Sequence, residues 1–160
     1  MGSKNPEATA DVVLEALRRT NQCGVLSTGW GGLKTNDLPD SVFMVGSIPH
    51  AWLFPRMAAI VHHRGAGTTA AALSAGVPSI VTPVMGDQSF WARRVSELGV
   101  GPRSVPRRML TVERLTRAIE SALSDGQIRA RSAVLGEQIR AEDGASVAVR
   151  HIEQWMQRSR

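Results

Sequence analysis

Two strand–loop–helix units follow one another in the middle of the sequence, and they constrain the fold more than any other feature. An apolar run at residues 58–61 predicts a strand, which a glycine-containing loop joins to an alanine-rich helix at residues 70–75. A second apolar run at residues 79–81 leads through another loop into a helix at residues 88–98. Strands that alternate with helices are typical of a parallel sheet with helices on both faces.

The rest of the chain extends this alternation and then becomes wholly helical. Asn5 and Pro6 resemble an N-cap and a first-turn proline at the start of a helix. Two further strands and one short helix are predicted at residues 24–27, 41–45 and 52–57. Beyond Pro106 only the helical period remains, with apolar stripes at Val112, Leu115, Ile119 and Leu123 and at Ala148, Ile152, Trp155 and Met156. We therefore predict an α/β fold, a Rossmann-like parallel sheet with helices on both faces and a C-terminal helical cap.

Composition limits the domain count and the class of partner. A chain of 160 residues is one domain of ordinary size, spanning residues 1–160. The net charge is +5, but acidic residues interrupt the arginine cluster and no aromatic residues are interleaved with it, which argues against nucleic acid. The single cysteine, Cys23, excludes an internal disulfide and is predicted to be buried beside a strand. Because no apolar run reaches membrane-spanning length, we expect a soluble, cytoplasmic protein.

The first loop has the composition of an anion site. Gly65 and Gly67 allow a ligand to approach the backbone, and the helix that follows presents free N–H groups at the positive end of its dipole. Thr68 and Thr69 are expected to add hydroxyl donors. Phosphate groups bind at such strand–helix junctions.

The second loop, residues 82–88, follows the next strand in the same way. Loops at the carboxyl ends of neighbouring parallel strands face a common crevice, where α/β proteins bind nucleotides. The two loops together therefore predict a nucleotide site.

Residues 49–69, continuing through residues 76–78 and 86–91, resemble the donor-binding half of the sterol and antibiotic branch of the UDP-glycosyltransferases. These are GT-B enzymes, with two Rossmann-like domains facing each other across a cleft. The resemblance extends upstream to residues 26–33 and 37–40, and downstream to the ending at residues 142–144. It covers nearly the whole chain and implies the C-terminal domain of a GT-B enzyme.

The resemblance implies three groups of site residues. The diphosphate would be bound by His63, Gly65, Ala66, Gly67 and Thr68. The sugar hydroxyls would be bound by Asp87 and Gln88, although Asp87 could instead cap the helix that follows. The nucleoside would lie against Ser47, Ile48, Pro49 and His50. The tryptophan that stacks on the base in plant members has no equivalent at Ser47, and Trp52 either replaces it or packs in the protein.

Two positions depart from the pattern of the resembled family. Arg64 stands where this branch usually has glycine, so either the backbone there needs no positive φ or some strain is accepted. An arginine beside a diphosphate could also add a bidentate contact. Ala71 stands where the plant enzymes have a ribose-binding glutamate, so ribose contacts would come from elsewhere.

The function that the resemblance implies is donor binding in an inverting, metal-independent glycosyltransferase that needs no cofactor. UDP-glucose is the expected donor and a lipophilic alcohol such as a sterol the expected acceptor. A dTDP-sugar antibiotic glycosyltransferase and a non-catalytic donor-binding subunit remain alternatives. A nucleotide-sugar epimerase would need acid–base residues in the cleft that the sequence does not offer.

The N-terminal acceptor domain of the resembled family has no counterpart here, and its histidine supplies the catalytic base. In the family a strand precedes the first helix, so we expect a vacancy near the centre of the sheet. Such a chain should self-associate as a homo-oligomer, or recruit an acceptor domain or complementary chain through this vacancy and the loops around Trp30 and Pro49.

Overall fold

The computed structural model describes residues 6–27, 38–63, 65–84 and 88–158, and in these ranges it shows four parallel strands and seven α-helices. The strands are β1 (Gly24–Ser27), β2 (Val42–Val45), β3 (Ile60–His62) and β4 (Ser79–Val81). The helices are α1 (Pro6–Arg19), α2 (His50–Leu53), α3 (Ala66–Ala75), α4 (Gln88–Glu97), α5 (Val112–Ser124), α6 (Gly126–Ala141) and α7 (Gly144–Arg158). Short 3₁₀ turns follow α2 at Phe54–Arg56 and precede α5 at Arg107–Met109.

The strands of the described residues form two parallel pairs, β1 with β2 and β3 with β4. The outer edge of β4 is also occupied, because Ser79 N donates to Val100 O and Val105 N donates to Val81 O, both at 3.0 Å. The segment 100–105 therefore lies along β4 like a further strand, which the sequence did not indicate. The predicted parallel arrangement is confirmed, but the sheet is divided between β1 and β3.

Helices cover both faces, as predicted. On one face, Ile80 of β4 packs against α1 and α5 through Ala16, Leu115 and Ile119. On the other, Val81 packs against Ala92 and Val95 of α4. Ile60 of β3 packs on that second face too, since it contacts Ala72 of α3 and Phe54. Because β4 is buried on both sides, it is the centre of the core.

The C-terminal cap consists of α5, α6 and α7, but only the first two pack closely. Asp125 caps α6 by accepting hydrogen bonds from Gln127 N and Ile128 N. Gly136 of α6 lies directly on Gly76, where a Cβ at Gly136 would come within 2.5 Å of the Gly76 Cα. Every described side chain of α7 is exposed, including Trp155 at 69%. Trp155 was expected to lie in the core because it is on the apolar stripe of this helix, and its exposure shows that this expectation is wrong.

Cys23 is exposed, so the prediction that it is buried is also wrong. It lies in the turn between α1 and β1, one residue before the strand begins. The strand's buried positions are Gly24 and Leu26 instead. Among the described helices, none is long and apolar enough to cross a membrane.

Candidate functional site

The first glycine loop places three backbone N–H groups that have no partner inside the helix at the start of α3. Gly65 occupies the N-cap with no side chain capping the helix. The first hydrogen bond of the helix runs from Thr69 N to Gly65 O at 2.9 Å. The N–H groups of Ala66, Gly67 and Thr68 precede this bond and have no partner inside the helix. Together with the positive end of the helix dipole, they form an arrangement that attracts an anion.

The two glycines leave open space at this point. A Cβ added to Gly67 would meet nothing within 4 Å among the described atoms, and one added to Gly65 would meet only Thr68 Oγ1, at 4.0 Å. Gly65 has a φ of −69°, which other residues also adopt. Neither packing nor backbone conformation therefore requires glycine here, and close approach of a ligand is the remaining role for a missing side chain.

The two threonines of the loop differ. Thr69 is fully buried, and its Oγ1 donates to Gly65 O at 3.1 Å. The prediction that Thr69 offers a hydroxyl to a ligand is therefore wrong, because this hydroxyl closes the first turn of α3. Thr68 is only half-buried, and its role as a hydroxyl donor to a ligand stays a prediction.

The two adjacent histidines at the end of β3 differ in exposure. His62 is the last residue of β3 and is 7% exposed, whereas His63 is exposed at the start of the loop. Successive side chains of a strand point to opposite faces, which explains the difference. Of the two imidazoles, only that of His63 is accessible to a ligand.

The second loop begins beside the first. Thr82 N donates to His62 O at 2.9 Å, and Thr82 Oγ1 lies 3.3 Å from the same carbonyl oxygen. The two loops therefore leave β3 and β4 side by side, at the carboxyl ends of parallel strands. Asp87 and Arg64 lie outside the described residues, and of Gln88 only its position at the start of α4 is described.

A stacking contact between two rings holds the predicted nucleoside segment, residues 47–50, close to the first glycine loop. The His50 ring stacks on Phe54, with centroids 4.3 Å apart and planes 13° from parallel. Phe54 is buried against Ile60 and Ala72, which lie on either side of the first glycine loop in the sequence. His50 and Ser47 are exposed and Ile48 is half-buried. The sequence analysis missed the role of Phe54, although the spacing of four residues from His50 could have indicated it.

Trp52 lies in α2 with 54% of its surface exposed. The Arg56 guanidinium lies over the indole at 4.3 Å from the ring centroid, and Arg56 also donates to the Trp52 carbonyl. One face of the ring is thus covered by a cation–π contact. Trp52 is a surface residue and is not part of the core.

The charges around the loop favour a negatively charged ligand. Residues 63–84 contain no aspartate or glutamate. The carboxyl groups with lowered pKa values belong to α1, α5 and the start of α7. Hydrogen bonds from Arg18 and Arg19 lower the pKa of Glu15 to about 2.

Among the described residues, no three histidine, cysteine, aspartate or glutamate side chains come together as a metal site would require.

The chain is similar in sequence to known glycosyltransferases. The model of the family described as erythromycin biosynthesis protein CIII-like, C-terminal domain, matches residues 25–154. A sterol 3-beta-glucosyltransferase of Arabidopsis thaliana is 42% identical over 147 residues, which are 91% of this chain and 24% of that protein. The chain thus spans about a quarter of the length of this curated relative.

Two solved glycosyltransferases have the same fold. The glycosyltransferase of kitacinnamycin matches 96% of this chain and 40% of its own, with a TM-score of 0.81 and 26% identity. The glycosyltransferase VinC, solved in complex with dTDP, matches 74% of this chain and 31% of its own, with a TM-score of 0.63 and 29% identity. The chain therefore belongs to the erythromycin biosynthesis protein CIII-like C-terminal domain family and has the fold of a C-terminal GT-B glycosyltransferase domain.

Proposed function

We propose that this chain binds the donor of a glycosyltransferase, a nucleoside diphosphate sugar, with the diphosphate at the start of α3. The observation that carries the proposal is the set of three N–H groups at Ala66, Gly67 and Thr68 that have no partner within the helix. They lie beside the exposed His63, and no described atom lies closer than 4.0 Å to a Cβ built on either glycine. The VinC relative, which was solved with dTDP, supports a nucleoside diphosphate as the ligand class.

The proposed chemistry is transfer of a hexose with inversion to the hydroxyl of a lipophilic acceptor such as a sterol. As the bond to the sugar breaks, negative charge builds on the leaving diphosphate. Backbone N–H groups and the imidazole of His63 stabilise this charge without a metal ion. Asp87 and Gln88 bind the sugar hydroxyls, and His50 with Ser47 and Ile48 lies against the nucleoside.

Glucose and a sterol are proposed because the relatives with substantial identity are named sterol 3-beta-glucosyltransferases. UDP is the nucleotide we propose, and dTDP is the competing one because of VinC. Calorimetric titration of the chain with UDP, dTDP and UDP-glucose tests both points. Tight binding of UDP and UDP-glucose supports the proposal. Binding of none of the three would overturn it.

The proposed division between diphosphate and sugar contacts is testable with two variants. His63→Ala removes a hydrogen bond to a charged group, so it should weaken UDP and UDP-glucose equally, by about 1–3 kcal/mol. Asp87→Ala should weaken UDP-glucose and leave UDP unchanged. If Asp87→Ala weakens both ligands equally, Asp87 acts as a helix cap and the sugar assignment is wrong.

We further propose that the group that deprotonates the acceptor lies outside this sequence, since the chain covers 40% of the kitacinnamycin glycosyltransferase. The isolated chain should then bind UDP-glucose but transfer no glucose to cholesterol or ergosterol. Incubation with radiolabelled donor, followed by lipid extraction, measures the transfer. Transfer well above the rate of donor hydrolysis would contradict this part of the proposal.

A further inference from the structure

The predicted nucleoside segment, residues 47–50, contains one planar side chain, that of His50. His50 is exposed, and its ring lies on the ring of Phe54, with centroids 4.3 Å apart and planes 13° from parallel. The other three residues of the segment have no π face. Because Phe54 covers one face of the imidazole, the opposite face of His50 is the planar surface that this segment offers to an aromatic ligand.

Phe54 is the fixed member of this stack. It is 8% exposed and belongs to the buried cluster that also contains Ile60 of β3 and Ala72 of α3. The core therefore sets the position of the Phe54 ring. An exposed side chain with no neighbour samples several rotamers, and a binding site that must first order such a side chain loses affinity. The contact with Phe54 removes this loss by fixing the plane of the His50 ring.

The stack lies beside the first turn of α3. Since α2 follows β2 and α3 follows β3, both helices start at the carboxyl edge of the parallel strands. Phe54 packs with Ala72 of α3. One helical turn back towards that edge leads from Phe54 to His50, and the same step along α3 ends at Thr68. His50 is therefore at the level of Thr68, one of the three residues whose N–H groups have no partner within the helix.

Trp52 lies on the other side of α2. Two residues correspond to about 200° around a helix, so Trp52 and Arg56 point away from His50 and Phe54. The Arg56 guanidinium already lies over the indole, 4.3 Å from the ring centroid. The sequence left open whether Trp52 replaces the stacking tryptophan of the plant members. Its placement argues against that role and leaves His50 as the ring available to a base.

We propose that the base of the nucleotide stacks on the free face of the His50 ring, and that Phe54 is the positioning residue that holds this ring in place. The inference rests on the proposed function, because it assigns the base-binding part of the same donor site. The ligand is a nucleoside diphosphate whose planar base completes a stack of three rings. Stacking does not read the edge of a base, so this contact supplies affinity without selecting uracil over thymine.

Calorimetric titration of His50→Ala with UDP, dTDP and inorganic pyrophosphate tests the stacking contact. We expect UDP and dTDP to bind at least about fivefold more weakly, and pyrophosphate, which has no base, to bind as it does to the unmodified chain. His63→Ala is the matched control, because it should weaken all three ligands. In an NMR titration of the unmodified chain with UDP, the His50 ring protons should shift upfield, since they lie in the ring current of the base.

A double-mutant cycle tests the role of Phe54. Phe54→Leu keeps an apolar side chain in the core and removes the ring, so it should weaken UDP binding by about two- to tenfold when His50 is present. In the His50→Ala background the same substitution should change UDP affinity little, which a purely structural role would not produce. Ile60→Val, in the same buried cluster, should leave UDP affinity unchanged in both backgrounds.

The results that would overturn this inference differ from the one that would overturn the proposed function. UDP binding that His50→Ala leaves unchanged, or an equal weakening of pyrophosphate, would contradict the stacking contact. A loss confined to UDP would contradict it too, because His50 would then bind the 2′-hydroxyl that dTDP lacks. A Phe54→Leu effect that persists without His50 would contradict the positioning role. Failure of the unmodified chain to bind either nucleotide would overturn the proposed function, and this inference with it.

Discussion

In the β3–β4 half of the sheet, β4 is buried along its whole length, whereas neither strand of the β1–β2 half is. Every residue of β4 is buried, and its two edges are hydrogen-bonded to β3 and to the segment 100–105. In the β1–β2 pair, Val25 and Phe43 are exposed on one face. The half that carries the two glycine loops is therefore held in place by its own core, which fixes the proposed diphosphate site without help from the other half.

The glycines of the β3–β4 half are of two kinds. At some positions close packing requires glycine, and at others it does not. Gly101→Ala should destabilise the fold by about 3 kcal/mol or more, because the new Cβ would lie 1.9 Å from Ser79 O and 2.9 Å from Val95 Cγ1. Gly67→Ala should stabilise α3 by about 0.5–1 kcal/mol, since alanine is the better helix former and no described atom lies within 4 Å of the new Cβ. Urea unfolding measures both.

The same pair distinguishes a structural glycine from a ligand-binding one. Although Gly67→Ala is expected to be more stable, it should bind UDP more weakly, because the methyl group occupies the space beside the free N–H groups. Unchanged UDP affinity in this variant would show that the open space at Gly67 is not used by the ligand.

Two valines of the sheet provide a matched comparison of the halves. Val81 is 1% exposed and Val25 is 37% exposed. Val81→Ala should lower the free energy of unfolding by about 2 kcal/mol, because burial is lost and a cavity remains. Val25→Ala should lower it by less than about 0.5 kcal/mol. Thermal or urea unfolding measures both variants. Similar losses of stability at the two positions would mean that the β1–β2 half is as well packed as the β3–β4 half.

The smallest effect is expected on the outer surface of α1. The pKa of Glu15 is lowered to about 2 by hydrogen bonds from Arg18 and Arg19. A carboxyl group with a lowered pKa stabilises the fold above its ordinary value, near 4.5, and this contribution is lost as the pH falls towards 2. Glu15→Gln should therefore lower the melting temperature slightly at pH 7 and leave it unchanged near pH 2. An equal difference at both pH values would indicate a cause other than this charge.

The sequence predicted the positions of the strands closely, because short apolar runs bounded by glycine, proline and polar residues have few alternatives. The predicted strand at residues 79–81 is β4, and the one at residues 24–27 is β1. The predicted strand at residues 58–61 was displaced towards the N-terminus, since β3 is Ile60–His62. The segment 100–105 was missed because Gly101 and Pro102 are unfavourable in strands. Among the described residues, it is hydrogen-bonded to β4 only through Val100 and Val105.

Burial was harder to predict than secondary structure. Both α5 and α7 carry an apolar stripe, but among the described residues the stripe of α5 is largely buried and that of α7 is exposed. A periodic stripe shows that one face is apolar and does not show what covers it. Likewise, the adjacent threonines at the start of α3 look equivalent in the sequence. Helix geometry turns the Thr69 hydroxyl back onto the Gly65 carbonyl and so removes it from the site.

An NMR titration of the ¹⁵N-labelled chain with UDP locates the diphosphate on the protein. If the diphosphate binds at the start of α3, the largest shifts belong to the amides of Ala66, Gly67 and Thr68, and they decrease along the helix towards Ala75. His63→Ala should weaken the titration without moving it elsewhere. Saturable UDP binding that leaves these three amides unshifted would show that the diphosphate does not bind at the start of α3.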